Sequence, residues 1–359
     1  MLLWPVFDRV RFPGQSIPLS KSVFDVGVAE AVEHHLTVSS SGATVSRACF
    51  AWLSRDKLVQ ALHSSDALRG EFAVVASFDR SAFINDDACV AKAHTRVQIT
   101  DVRFVDGMFT VDTVDVADRA DALRSMPRWP FVSVPRLALL AVDPDRLADR
   151  LRHLVLTALG EQKLKLPRGA TALSFWLCTH LPLSIRQRRA LLAADTVTRL
   201  RELERPCSQL GQLFCASCSA VVGSMQHAIP TGDGALSAAF VNPHSYSHDL
   251  IALTELACTP AIHGRPDPSN TWFAGYAWQI ICCPTCGEHL GWRFSRWSDP
   301  PAQRSRLAML GQLLQMATTA AAAAEAPREV FFGLTHRALR QRQAVAHGSD
   351  SSDSDDDQE

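Results

Sequence analysis

WFAGYAWQIICCPTCGEHLGWRF, residues 272–294, is the stretch on which the reading of this chain turns. It holds three of the eight tryptophans, Trp272, Trp278 and Trp292, together with a Cys-x-x-Cys pair, Cys283 and Cys286, just after Cys282. FCASC at 214–218 supplies a second pair, Cys215 and Cys218. Each pair sits on a short turn that lets both sulfurs reach one ion. Zinc takes four soft thiolates in a tetrahedron when its role is structural. Four thiolates fill that shell and leave no position for water, so a site of this kind is not catalytic. The two pairs stand further apart than in a small zinc ribbon. That separation implies a whole β domain pinned by one structural Zn2+ rather than a finger.

Working outward, the flanks of this stretch read as short strands at 238–241, 250–256 and 276–281, separated by Pro, Gly, Asn and His. That is an all-β pattern. Cys49, Cys89, Cys178, Cys207 and Cys258 read as core or surface thiols. Cys282 does not compete with Cys283, because only Cys283 and Cys286 keep two residues between them. His227, His244, His248 and His289 are ligand types too, but four cysteines leave them no vacancy. Gly275 and Gly291 flank the tryptophans and permit close backbone approach. Three indoles in a small β domain are core by default. Three flat faces around a gap can also enclose a small uncharged ring, with backbone groups reading its polar edge.

The N-terminal half has a different pattern. Residues 4–19 are two apolar runs around a Pro13-Gly14 turn signal, with Pro5 and Pro18 suited to strand ends and edges. Residues 23–36 have helical spacing and 39–44 are loop-like. Residues 72–78 read as a buried strand and 89–99 as a half-buried one. Asp106-Gly107 between alternating runs is a hairpin signal. Pro127 and Pro130 mark a boundary, after which the period turns helical. Asp143-Pro144 suits a helix start, ahead of Leu147, Leu151, Leu154 and Leu159. Leu181-Pro182-Leu183 separates two further helices, with Ser184 as N-cap of the second and Leu191, Leu192, Thr196 and Leu200 facing inward.

Composition bounds the function. A chain of 359 residues accommodates about two domains with proper cores. Lys+Arg 36 against Asp+Glu 37 gives a formal net charge of -1, which offers nothing to a nucleic acid. No apolar run is long enough to span a bilayer, and the first residues lack the pattern of a secretory signal. Ten cysteines then read as metal ligands and buried thiols of a cytoplasmic or nuclear protein, not as disulfides.

The pieces VNPHSY (241–246), GRP (264–266), WFAGYAW (272–278), CPTC (283–286), HLGWRF (289–294) and FFGLT (331–335) stand in one order. In that order, and at nearly the same spacings, the chain resembles the thalidomide-binding (CULT) domain of the cereblon family. Residues 4–19 are similar to the opening of the N-terminal domain that cereblon shares with Lon proteases. Residues 175–203 are similar to the family's helical region. The resemblance implies an α+β, two-domain protein. A Lon N-terminal-like β subdomain would occupy 1–125, and a helical, adaptor-binding subdomain 126–205. A zinc-pinned, two-sheet CULT domain would occupy 206–340, departing from the family in a Leu- and Ala-rich insertion at 300–327, and the acidic, serine-rich run at 341–359 reads from its composition as a disordered tail.

The same resemblance implies a site. In the family the matching tryptophans, here Trp272, Trp278 and Trp292, line a cage for glutarimide or a related cyclic imide. The imide edge meets main-chain groups at Asn270 and Trp272, Phe294 closes the base, and Asn242, Pro243 and His244 lie at the mouth. The chain departs from the family at two places on the rim: Asn270 replaces a histidine and Ala274 a proline. The implied function is a non-catalytic substrate receptor of a cullin-4-type RING ubiquitin ligase. Its implied partners are an adaptor of the damaged-DNA-binding large-subunit type, glutarimide-type small molecules, and proteins ending in a cyclic imide, with neither nucleic acid nor membrane.

A Lon-type ATPase is excluded, since there is no G-x-x-x-x-G-K-[ST] phosphate loop. A methionine sulfoxide reductase shares a zinc-pinned β fold but needs a reactive cysteine at its pocket. A methyl-lysine cage adds acidic residues, and only Glu288 lies near these motifs. A stand-alone small-molecule binder stays open.

Overall fold

The computed structural model describes residues 1–6, 10–20, 45–64, 66–79, 83, 88–105, 108–118, 143–159, 164–230, 236–242, 247–297 and 328–340. The expected helix at 23–36, the loop at 39–44, the boundary at 127–130, the insertion at 300–327 and the tail at 341–359 lie outside them. So do Asp106-Gly107, Pro243 and His244.

The first six strands are β1 (Leu2–Val6), β2 (Ser16–Ser20), β3 (Val45–Trp52), β4 (Phe72–Asp79), β5 (Ala88–Val105) and β6 (Met108–Asp115). They run in the order β2-β5-β4-β3-β1-β6, and β6 pairs back onto β5, which closes a ring. Closure depends on β5, which is long enough to pair with β2 and β4 through its first half and with β6 through its second. Two register shifts, one beside Ala76 on β4 and one between Ile99 and Asp101, let it bend. Extra residues of this kind kink a strand and increase its twist. The run at 4–19 does contain the expected turn, with Gly14 at φ 87 and the Gln15 N–H bonded to the Phe12 carbonyl. The two runs do not pair with each other, however. β1 pairs in parallel with β3, and β2 pairs with β5.

Period-two alternation gives the ring two apolar faces. Leu3, Cys49, Ala51, Val75, Val97 and Ile99 pack as one small core, joined by Ala61 of helix α1 (Arg55–His63). Their neighbours Leu2, Trp4, Phe50 and Val74 join a larger core shared with the helices. Those helices are α2 (Pro144–Leu159), α3 (Ala170–His180), α4 (Ile185–Ala193) and α5 (Thr196–Ser208). Pro144 opens α2, as its fixed φ favours. Leu147, Leu151 and Leu159 of α2 are buried, and Leu154 packs against the same core. Ser184 caps α4 in a capping box with Gln187. Leu191, Leu192, Thr196 and Leu200 are all buried, as the pattern predicts.

Buried charge fixes the bundle to the barrel. Arg199 donates to Asp118 at 2.9 Å and lies 3.8 Å from the centroid of the Phe175 ring. Arg96 of β5 reaches the same carboxylate at 3.6 Å and the Leu192 carbonyl at 2.8 Å. Asp118 thus balances two buried guanidiniums, which desolvation would otherwise penalise heavily. Arg188 does similar work towards the C-terminal unit. It donates to the carbonyls of Cys178, Leu181 and Leu183 around the end of α3, and to His336 Nδ1 at 3.0 Å.

The C-terminal unit is two sheets. β7 (Gln212–Cys215), β8 (Val221–Ser224) and β15 (Leu339–Arg340) form the small one, in the order β15-β7-β8. The larger comprises β9 (Ala238–Val241), β10 (Ser247–Leu253), β11 (Ala261–Asp267), β12 (Tyr276–Cys282), β13 (His289–Arg296) and β14 (Val330–Thr335), in the order β11-β12-β13-β14-β10-β9. The expected strand at 250–256 is therefore displaced towards its N-terminus. One face of this sheet, through Ile251, Leu253, Ile281 and Leu334, joins the large core. The α+β class read from the sequence is the class observed, with the last unit all β and in two sheets.

Candidate metal centre and aromatic cage

Cys215 ends β7 and Cys218 follows three residues on, while Cys283 follows β12 and Cys286 sits in the turn before β13. The two turns are built alike. Cys215 accepts the Ser219 N–H through its carbonyl, and Cys283 accepts the Gly287 N–H in the same way. Ser219 (φ 65) and Gly287 (φ 78) both take the left-handed conformation that turns the chain after each second cysteine. A hydrogen bond from Ser217 Oγ to Glu288 at 3.0 Å joins the turns.

The four sulfurs all lie within 4.8 Å of one another. Cys215 and Cys286 are 3.7 Å apart, and Cys218 and Cys283 are 3.6 Å apart. A tetrahedron with metal–sulfur bonds of about 2.3 Å has edges of about 3.8 Å. The cluster therefore has the size that a four-thiolate ion requires. Burial pushes the Cys283 thiol up. Backbone N–H groups of Thr285 and Cys286, with the neighbouring thiols, outweigh this and bring it down to about 7. Such a group is already inclined to the thiolate form that binds metal. Cys258 and Cys282 are half-buried and outside the four.

The opposite face of the large sheet carries the tryptophans. Trp278 pairs with Phe294, and Ile280 with Trp292, so all four side chains share one face. Trp278 and Trp292 are then diagonal neighbours, a relation that sets side chains about 7–8 Å apart. Trp272 comes from the turn between β11 and β12 and folds over this face. Its ring lies 4.9 Å from that of Trp292 at 82° and 6.5 Å from that of Phe294.

The local backbone explains why the turn holds. Asn270 is left-handed at φ 53, a conformation asparagine tolerates better than most residues. Asp267 accepts the Ser269 N–H at 2.7 Å, and Gly275 at φ 81 closes a second turn in which Tyr276 N–H meets the Phe273 carbonyl. Trp278 Nε1 donates to the Ser269 carbonyl at 2.8 Å, so this indole is tied to the turn that supplies Trp272. Gly291 is required by space: a Cβ there would sit 2.0 Å from the Gly333 carbonyl oxygen. That close approach of β13 and β14 is made next to Trp292.

Of the residues singled out in the sequence, Trp272, Trp278, Trp292 and Phe294 come together on or over one face, with Asn270 in the turn. Asn242, at the end of β9, is half-buried. Sequence reasoning missed Phe240 and His248. Phe240 stacks on Trp272 at 5.4 Å, and His248 contacts Trp272 at 5.6 Å and Trp292 at 5.0 Å. The two are register partners across β9 and β10. The period-two pattern of that hairpin was the available signal. His289 meets Trp292 from the other side at 4.9 Å, and burial lowers its pKa.

No family model matches the chain. It is 31% identical to cereblon of Gallus gallus over 179 residues, which are 48% of this chain and 38% of that protein. It is 33% identical to cereblon of Danio rerio over 132 residues, 36% of this chain and 30% of the relative. The chain thus matches less than half the length of these curated relatives. Two solved structures also resemble it. One is the N-terminal domain of a Lon protease of the Mycobacterium avium complex (TM-score 0.37, 19% identity, 58% of this chain and 97% of the other). The second is a Lon N-terminal domain protein from Xanthomonas campestris (TM-score 0.33, 20% identity, 56% and 95%). With its four-cysteine cluster and its tryptophan-bearing sheet, this is a cereblon-like chain.

Proposed function

We propose that the chain is a non-catalytic substrate receptor of a cullin-4-type RING ubiquitin ligase, acting in the cytoplasm or nucleus. In this reading Trp272, Trp278 and Trp292 grip a cyclic imide, either a glutarimide-type small molecule or the C-terminal cyclic imide of a protein. Phe294 would form the floor, and main-chain groups at Asn270 and Trp272 would meet the polar edge, with Asn242 at the mouth. The helices would engage an adaptor of the damaged-DNA-binding large-subunit type. The observation that supports the reading is that Trp272, Trp278 and Trp292 gather on or over one face of the large sheet, in a segment whose motifs follow the cereblon order.

The ring's chemistry suits a slot between indoles. Apolar carbons lose water against indole faces, while an uncharged imide avoids the cost of burying an ion. The four thiolates would hold a zinc ion, whose contribution is to fix the β12–β13 turn against β7. The residues of this chain do the rest, by positioning the walls and excluding water. Binding would select the substrate, and ubiquitin transfer would belong to other subunits.

The test is an affinity capture from cell extract with the tagged full chain, scored for cullin-ligase subunits, beside calorimetry with a glutarimide compound. Recovery of adaptor and cullin together with imide binding is expected. Imide binding without any ligase subunit would leave a stand-alone small-molecule binder and end the receptor reading.

A further inference from the structure

The bundle and the C-terminal unit meet at a joint built on one buried cation. Arg188 of α4 donates from Nε to the Leu183 carbonyl at 3.1 Å and from Nη1 to the Cys178 carbonyl at 2.7 Å. Its Nη2 lies 2.8 Å from the Leu181 carbonyl and 3.0 Å from Nδ1 of His336, which follows β14. Both residues are buried. A second histidine crosses the same joint: His180, the last residue of α3, meets Ser237 Oγ through its own Nδ1 at 2.8 Å.

The two histidines differ in what they permit. A guanidinium has donors and no acceptor, so Nδ1 of His336 must present a lone pair. His336 is therefore neutral in this joint, with its proton on Nε2. A hydroxyl both donates and accepts, so His180 can keep Ser237 in either charge state. The Trp176 ring, 4.5 Å from that of His180, also accommodates a cation. Protonation of His336 would instead set two donors against each other and bring a second cation to 3.0 Å from the first.

The surroundings do not offset that charge. The turn that carries His336 packs on β10 and β13. Asp249 is the one carboxylate on either strand, and alternation puts it on the buried face with Ile251. β10 also carries His248, which lies against the tryptophans; β13 adds His289, Arg293 and Arg296, and Arg337 follows His336. The charge of Arg11, itself buried, acts against that of Arg188. Burial brings Arg188 down to about 10, which leaves it cationic at neutral and acid pH. Arg11, Arg188 and Asp249 together already leave a positive surplus, and a proton on His336 would double it.

We propose that His336 makes this joint acid-sensitive: the neutral imidazole fastens the C-terminal unit to the bundle, and its protonation releases it. The fastened form excludes the proton, whereas the released form takes it at histidine's ordinary value of about 6.5. The joint is at full strength above that value and weakens as pH falls through it. One pH unit below, the docking equilibrium stands about ten-fold lower than at pH 7.5. The inference does not depend on imide binding.

Hydrogen exchange on the zinc-loaded full chain tests it. The readout is the protection factor of the Leu183 and Leu339 amides, which close the turns on either side of the joint. It is taken at pH 7.5 and 5.5, with zinc content assayed at both. The native chain is expected to lose about ten-fold in protection at the lower pH. His336→Asn keeps an acceptor for Arg188 and has no proton to gain, so it should change less than two-fold. Nitrogen NMR of the imidazole in the native chain should show the Nε2–H tautomer at pH 7.5, whether or not the variant folds. Protection that stays level between the two pH values, an equal drop in His336→Asn, or an Nδ1–H tautomer would each overturn the proposal.

Discussion

Removing the metal tests how the C-terminal unit is held. Cys218 and Cys283 are 65 residues apart in sequence, and the thiolate cluster ties them as a cross-link would. For a loop of that length, the chain-entropy relation for covalent cross-links gives about 4 kcal/mol of stabilisation. Structural zinc adds a binding free energy of roughly 10–16 kcal/mol at neutral pH, which is as large as the whole stability of a typical domain. Against this, the small sheet offers strands of only four, four and two residues. A zinc chelator, or Cys218→Ser with Cys283→Ser, should therefore unfold the C-terminal sheets and release Trp272 from its packing. The barrel keeps a small core of its own around Cys49, Val75 and Ile99 but shares the large one with these sheets, so what stays folded should melt separately and at a lower temperature. Near-ultraviolet circular dichroism follows the indoles, and differential scanning calorimetry resolves the two transitions. Near-ultraviolet signal and melting temperature unaffected by complete removal of metal would refute this reasoning.

Three further outcomes follow from particular contacts. Gly291→Ala puts a Cβ into the Gly333 carbonyl and strains a φ of 144. It should cost roughly 2–4 kcal/mol by urea denaturation and weaken the cage through Trp292. Asp118→Asn leaves Arg199 and Arg96 without their shared anion and should cost about 3–5 kcal/mol in the same assay, with the loss in the barrel and bundle. Burial pushes Cys49, Cys178 and Cys207 each up to about 12. An aromatic disulfide reagent at pH 8 should spare these three in the native zinc-loaded protein and label them only after denaturation, whereas Cys258 and Cys282, half-buried and outside the metal cluster, should react without it.

Local chemistry was legible in the sequence. Two Cys-x-x-Cys pairs announced the cluster because thiolate spacing is set within one turn. Pro144, Pro182 and Ser184 marked helix ends, because a proline ring and a capping hydroxyl act on their own neighbourhood. Trp278, Trp292 and Phe294 share a face for the same reason, since alternation along a strand is local. Long-range pairing was not legible. Nothing in the two apolar runs of residues 4–19 shows that β1 joins β3 in parallel, because that choice depends on which edge the barrel leaves open. The bends that let β5 serve two neighbours come from extra residues with no distinctive chemistry. Arg96, Asp118 and Arg199 are ordinary charged residues in the sequence. Only the docking of helix on barrel makes them a buried triad. Phe240 and His248 escaped for a similar reason, as β9 lies at the far edge of the sheet from β12.

The central claim is that the indole walls bind an uncharged ring. One indole face covers about 50 Å² of a six-membered ring, worth about 1.2 kcal/mol at ~25 cal/mol/Å². Stacking adds about 0.5–1.5 kcal/mol, so losing one wall should weaken binding by about 2 kcal/mol, or roughly 30-fold. The direct measurement is calorimetric titration of zinc-loaded chain with a glutarimide compound, comparing the native sequence with Trp278→Ala and Trp292→Ala. The account predicts binding by the native chain and a roughly 30-fold loss in each variant, with folding and zinc content unchanged. Equal affinity in all three proteins would contradict it.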